Sequence, residues 1–240
     1  MKKLSKKAFT LIEILGAITI LGILSVIAIV SVNRIIQRAK DEHYKTTEKN
    51  FTLAAQSYVQ QNRNKLPKVI GQKQEIKLKE LLENNYIDEV KNYNKKDCDS
   101  ELSYVQVFKY SQTDYSYLAY LKCPGYDGKK IIQKDYESTV TITFSGTDVK
   151  DAKAKIEITD DKKLLSYSYI VYKNGKEVKN SGNEAVENYA SGIKKTIKLD
   201  EYTPGKIKIV VTATNIYGVS VTKTESKEYK DTTDPICIIK

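Results

Sequence analysis

The chain has 240 residues, 40 basic against 30 acidic side chains, a formal charge of +10, one histidine, three cysteines and no tryptophan. That length leaves room for one or two globular units, and a lone histidine removes most catalytic triads and metal centres. Mean hydropathy is −0.47 despite an apolar start, so the body is water-soluble. Its positive excess is dispersed among acids, which a solvated surface explains better than a DNA-binding stripe.

The first element is the apolar run Ala8–Asn33, preceded by Lys2, Lys3, Lys6 and Lys7 and followed by Arg34. Glu13 is its one charge. As a helix rising about 1.5 Å per residue it spans a hydrocarbon core of roughly 30 Å. Lysines in front and none close behind put the N-terminus in the cytoplasm and the remainder outside. A secretory signal peptide has a shorter apolar part ending at an A-x-A-like site, and no such site follows Val32.

The residues Lys6-Lys7-Ala8-Phe9-Thr10-Leu11-Ile12-Glu13 resemble a type IV prepilin processing site, shared by type IV pilins and type II secretion pseudopilins. The resemblance implies cleavage by a prepilin peptidase between Ala8 and Phe9, methylation of the new amine on Phe9, and a role for Glu13 in subunit assembly. The chain departs from the family pattern at Ala8, usually glycine, and at Val30, often proline. The second departure predicts an unbroken helix.

Physics gives Glu13 a separate argument. An ionised carboxylate in hydrocarbon costs about 2.5–3.5 kcal/mol on insertion scales and marks a functional position when it has a partner. The partner expected is the Phe9 amine of a neighbouring subunit, Phe9 and Glu13 sharing one helical face. The alternative is a side chain snorkelling to the cytoplasmic interface. Gly16 and Gly22 are either close-approach points between helices or neutral.

From Asn33 the pattern turns amphipathic: Ile35, Ile36, Ala39, Tyr44, Thr47, Phe51, Ala55, Tyr58 and Asn62 recur at spacings of three and four. With no proline before Pro67, one helix is expected from Phe9 to Gln61. His43 falls on its charged side beside Asp41, Glu42 and Lys45, as a solvated residue. Residues Glu75–Ile87 read as a short helix with Asn85 at its left-handed end.

Two alternating strands follow, Ser103–Tyr110 and Tyr115–Lys122, joined as a hairpin. Their pairing brings Cys98 near Cys123, and outside the membrane a disulfide between them persists; the alternative is two reduced thiols. From Tyr136 about seven short strands divided by turns such as Asn174-Gly175 predict a β-sandwich. It resembles Ig-like or fibronectin type III-like modules of bacterial surface proteins, a likeness of architecture that names no ligand. Asp231–Pro235 resembles a joint between such modules, and Cys237 is an odd thiol.

The expected fold is α+β: a long transmembrane and amphipathic helix on a small antiparallel sheet, then an all-β Ig-like sandwich. The expected division is a leader at 1–8, membrane segment at 9–32, helix continuation at 33–62, pilin-like α/β region at 63–130, sandwich at 137–230 and linker or truncated module at 231–240. No G-x-S-x-G, phosphate loop or HExxH occurs, so no enzyme, cofactor or metal is expected. The 18 tyrosines fit core and sheet surface better than a nucleic-acid stacking platform.

Two functions fit this reading. One is a structural subunit of a type IV pilus, competence pilus or secretion filament, with prepilin peptidase, other pilin subunits and the membrane as partners. The other is a membrane-anchored surface binding protein whose Ig-like domain holds an unknown ligand. DNA binding has weak support.

Overall fold

The computed structural model describes residues 10–129, 135–146 and 149–230, and within the first helix the side chains of residues 26–31 lie outside that description. Helix α1 (Leu11–Gln61) is continuous over 51 residues, about 75 Å at the standard rise of about 1.5 Å. No break interrupts it at Val30, as the missing proline leads one to expect. It stops at Asn62, whose backbone and side-chain amides both donate to the Tyr58 carbonyl, at 2.9 and 3.0 Å.

Only the second half of α1 is packed by the rest of the described chain. Burial begins at Tyr44 and continues through Phe51, Ala55, Tyr58 and Val59, the spacing of one helical face. Ile35 and Ile36, expected on that buried face, are 65% and 37% exposed. The periodicity is present there, but the head does not reach that far along the helix.

Strand β1 (Lys73–Lys77) leads directly into helix α2 (Leu78–Glu83), correcting the single helix expected over Glu75–Ile87. The reason is tertiary. Strand β2 (Tyr104–Lys109) offers an edge on which β1 pairs from Lys73↔Phe108 to Lys77↔Tyr104, burying Ile76 in the core. Asn85 adopts φ +58°, the left-handed conformation expected at the helix end. Strand β3 (Tyr115–Tyr120) completes the antiparallel order β1-β2-β3. Its Ala119, Leu121 just beyond it, and Val105 and Val107 of β2 pack on α1.

A two-residue ladder of β4 (Lys122–Cys123) and β5 (Tyr126–Asp127) folds the chain back. Cys98 and Cys123 form a disulfide, with Cα atoms 4.1 Å apart. Both cysteines belong to the core cluster under α1.

The C-terminal unit is two sheets around a second core. In the first, β6 (Thr139–Ser145), β7 (Lys153–Thr159) and β11 (Gly192–Lys198) pair in the order β11-β7-β6. In the second, β8 (Leu164–Lys173) carries β9 (Lys176–Asn180) and β10 (Glu184–Ala185) along one edge and β12 (Gly205–Asn215) on the other, with β13 (Ser220–Tyr229) beyond β12. Alternate residues of both sheets share one core: Ile156 and Ile158 from β7, Tyr169 and Val171 from β8, Ile207, Ile209, Val211 and Ala213 from β12. Asn174 and Gly175 turn β8 into β9 at φ +49° and +86°, the two left-handed residues that a tight hairpin requires.

The two units meet through three successive carbonyls. Ser116 Oγ donates to Ile216 O at 2.7 Å, Gln106 Nε2 to Tyr217 O at 3.0 Å, and Lys73 Nζ to Gly218 O at 2.7 Å. The face of the small sheet turned away from α1 is thereby covered by the β12–β13 turn, and Phe108 and Leu118 are buried there. Gly218 sits at φ +72°, and a Cβ on it would stand 2.9 Å from both Lys73 Cε and Phe108 Cδ2.

Candidate functional site

The start of α1 is built as a reciprocal cap. Thr10 has extended backbone, φ −78° and ψ 154°, and its Oγ1 accepts the Glu13 N–H at 3.3 Å. Glu13 Oε2 reaches back to accept the Thr10 N–H at 2.8 Å and the Thr10 hydroxyl at 2.9 Å. Two donors otherwise orphaned at a helix start are satisfied at once. The signal was present in the sequence, since Thr-x-x-Glu before an apolar run is a capping-box pattern; sequence reasoning weighed Glu13 for its charge and missed its cap.

Beyond the cap the apolar side chains have no partners among the described residues. Leu11 is 87% exposed and Ile12 75%, and Ile14, Leu15, Ile18, Ile20, Leu21, Ile23 and Leu24 are all exposed. Such a surface on a lone helix is an interaction or membrane surface. A Cβ on Gly16 or Gly22 would meet nothing within 4 Å, so neither serves a close approach among the described residues. Among the described residues no helix is long and apolar enough to cross a membrane.

The packed half of α1 carries the polar groups that seat the head. Tyr126 donates to Glu48 Oε1 at 2.8 Å, and its ring stacks on Tyr44 with centroids 3.6 Å apart. Burial pushes the Glu48 carboxyl above its ordinary range; the Tyr126 hydrogen bond pulls it back in part, and Asp135 adds to the rise. Burial and then the Glu48 bond push the Tyr126 phenol up in turn. This pair borders a cleft of about 590 Å³ between α1 and the C-terminal unit, with Tyr117, Tyr136 and Lys162 on its other walls.

At the far end Glu80 accepts from Tyr58 at 2.8 Å and pairs with Lys65. Partial burial works against the Glu80 charge, but the Lys65 ammonium and the Tyr58 hydroxyl outweigh it and hold the carboxyl below its ordinary range. His43, expected in solvent, is half-buried. Its Nε2 lies 3.1 Å from the Lys91 carbonyl, and its ring meets Tyr44 and Tyr93 edge-on.

The structure thus brings Glu13 to a helix start beside Thr10 and joins Cys98 to Cys123. The expected processing and leader residues, Lys2, Lys3, Lys6, Lys7, Ala8 and Phe9, lie outside the described residues, as do residues 231–240 with Cys237.

Residues 3–29 match the family described as the prokaryotic N-terminal methylation motif. The chain therefore carries the prepilin-type N-terminal signature, and its fold is α+β, a helix with mostly antiparallel sheets. No curated protein matches the chain. Among solved structures, the MHC-like protein MILL2 is 14% identical over 37% of this chain and 33% of that one, with a TM-score of 0.25. A superoxide reductase (neelaredoxin) from Ignicoccus hospitalis is 18% identical over 41% of this chain and 86% of that one, with a TM-score of 0.29. Likenesses this slight carry no argument about the present chain.

Proposed function

We propose that the chain is the precursor of a structural subunit, a pilin or pseudopilin, of a type IV pilus, competence pilus or type II secretion-like filament. The observation that carries this reading is the methylation motif at residues 3–29. A prepilin peptidase cuts between Ala8 and Phe9, the Phe9 amine is methylated, and residues 9–32 hold the subunit in the cytoplasmic membrane with the body outside. Assembly then packs the apolar side chains of α1 against those of other subunits. The exposure of Leu11 to Leu24 supports this, because nothing else in the described chain covers them.

The C-terminal unit is an immunoglobulin-like or fibronectin type III-like sandwich on this reading. Its support is the division into sheets β11-β7-β6 and β9/β10-β8-β12-β13 around one core. It stands outside the filament axis, where it is free to meet a surface ligand.

Mass spectrometry of the mature N-terminus tests the proposal. A chain beginning at N-methylated Phe9 is the expected result. An intact Met1 or Lys2 start would sink it in favour of a permanently anchored surface protein acting through the sandwich.

A further inference from the structure

We propose that the outward face of the β11-β7-β6 sheet binds a linear polyol-phosphate polymer through its lysine and hydroxyl rungs. The register sets four residue rows across the three strands: Lys198–Lys153–Ser145, Thr196–Lys155–Thr143, Lys194–Glu157–Thr141 and Gly192–Thr159–Thr139. These are the positions alternating with the core residues Ile142, Ala154, Ile156, Ile158 and Ile197, so all face away from the interior. Rows on one face recur about every 6.8 Å and strands lie about 4.8 Å apart. The result is a regular grid of ammonium and hydroxyl groups.

Charge on this grid is unbalanced. Glu157 is its one acid, and Lys155 and Lys194 both reach it, at 2.8 and 3.3 Å. Lys153 and Lys198 stand directly opposite each other, and neither makes an ion pair among the described residues. Like charges at directly opposed positions destabilise a sheet, and an anion bridging the two removes that repulsion. Lysines on an edge strand are a common guard against unwanted pairing, which accounts for Lys194 and Lys198 on β11. It does not account for Lys153 and Lys155, which lie on the central strand.

Shape and chemistry select the kind of anion. Gly192 has no side chain, and beside it Thr139, Thr141, Thr159, Lys194 and Glu157, whose carboxylate is neutralised by Lys155 and Lys194, border a shallow depression of about 580 Å³. A chain running along the sheet finds ammonium groups for its phosphates and threonine hydroxyls that both donate to phosphate and accept from polyol hydroxyls. No aromatic side chain lies on these rungs, so the stacking platform of single-stranded nucleic-acid binders is missing. That favours a polymer without bases.

The test uses the full chain in non-ionic detergent and synthetic poly(glycerol phosphate), titrated over a series of salt concentrations. The expected result is binding that weakens with salt, and at least about tenfold weaker binding by the double variant Lys153→Gln/Lys198→Gln, with a salt slope lower by about two. The pair Lys206→Gln/Lys208→Gln on the other sheet should bind like the parent, and Lys153→Gln/Lys198→Gln, relieved of its opposed charges, should melt no lower than the parent. Gly192→Glu, which adds a second, unpaired carboxylate beside Glu157 in the depression, gives an independent loss should the lysine pair disturb folding. The proposal is overturned by absent binding at low salt, by equal losses in both lysine pairs, or by an oligodeoxynucleotide of the same phosphate count binding as tightly.

Discussion

One substitution separates the cap that Glu13 makes from the assembly role proposed for its charge. Glu13 caps its own helix through Thr10, and in the proposed filament its charge meets the Phe9 amine of a neighbour. Glutamine also completes a capping box, so Glu13→Gln keeps the cap and removes the charge, whereas Glu13→Ala removes both. Filaments sheared from cells and viewed by electron microscopy should be lost or misordered with either variant. Parent-like filaments from Glu13→Gln would mean that the cap alone matters.

Glu48 makes a pH-dependent prediction. Its folded pKa lies above the ordinary value of 4.5 because burial disfavours the charged form. The folded state therefore holds its proton more tightly, and the associated stability is complete below about pH 4.5 and lost as pH rises through the folded value. Glu48→Gln, still able to accept from Tyr126, should gain stability relative to the parent on going from pH 4 to pH 7. Thermal melts of both proteins at the two pH values give the difference directly; a constant gap would place the carboxyl in water.

At the scale of elements, the head depends on α1 being held against a three-stranded sheet and a short helix. The Cys98–Cys123 disulfide closes a 25-residue separation, worth about 3 kcal/mol in the chain-entropy model. Cys98→Ser should lower the stability of the head by about that amount in urea unfolding followed by tyrosine fluorescence. Much of this element map was legible in sequence. The hairpin of β2 and β3 was, because two runs rich in tyrosine and valine flank a short polar turn, although burial of both faces was not. Strand β1 was not, because Glu75, Ile76 and Lys77 carry a weak helical pattern and become a strand only where β2 supplies an edge.

At the scale of the molecule, the junction between the two units rests on a turn. The carbonyls of Ile216, Tyr217 and Gly218 accept from Ser116, Gln106 and Lys73, and Gly218 fits only without a Cβ. Gly218→Ala meets both a left-handed backbone and the close atoms of Lys73 and Phe108, so it should cost about 1 kcal/mol or more locally. Small-angle scattering and limited proteolysis should then show a looser pair of units with each core intact. An unchanged scattering profile would mean that the junction has other supports.

What the sequence determined by itself is local. The lysine-led apolar run and its processing motif, the length of α1 without a proline, and the alternating strands all follow from residues close together in the chain. The capping box belongs with them. What tertiary structure decided needed distant partners: where burial on α1 begins, which edge β1 joins, and which sheet face the 216–218 turn covers. It also decided that Lys153 stands opposite Lys198. These depend on register and on contacts between segments dozens to more than a hundred residues apart, and no local pattern of side chains encodes which of the available surfaces will meet.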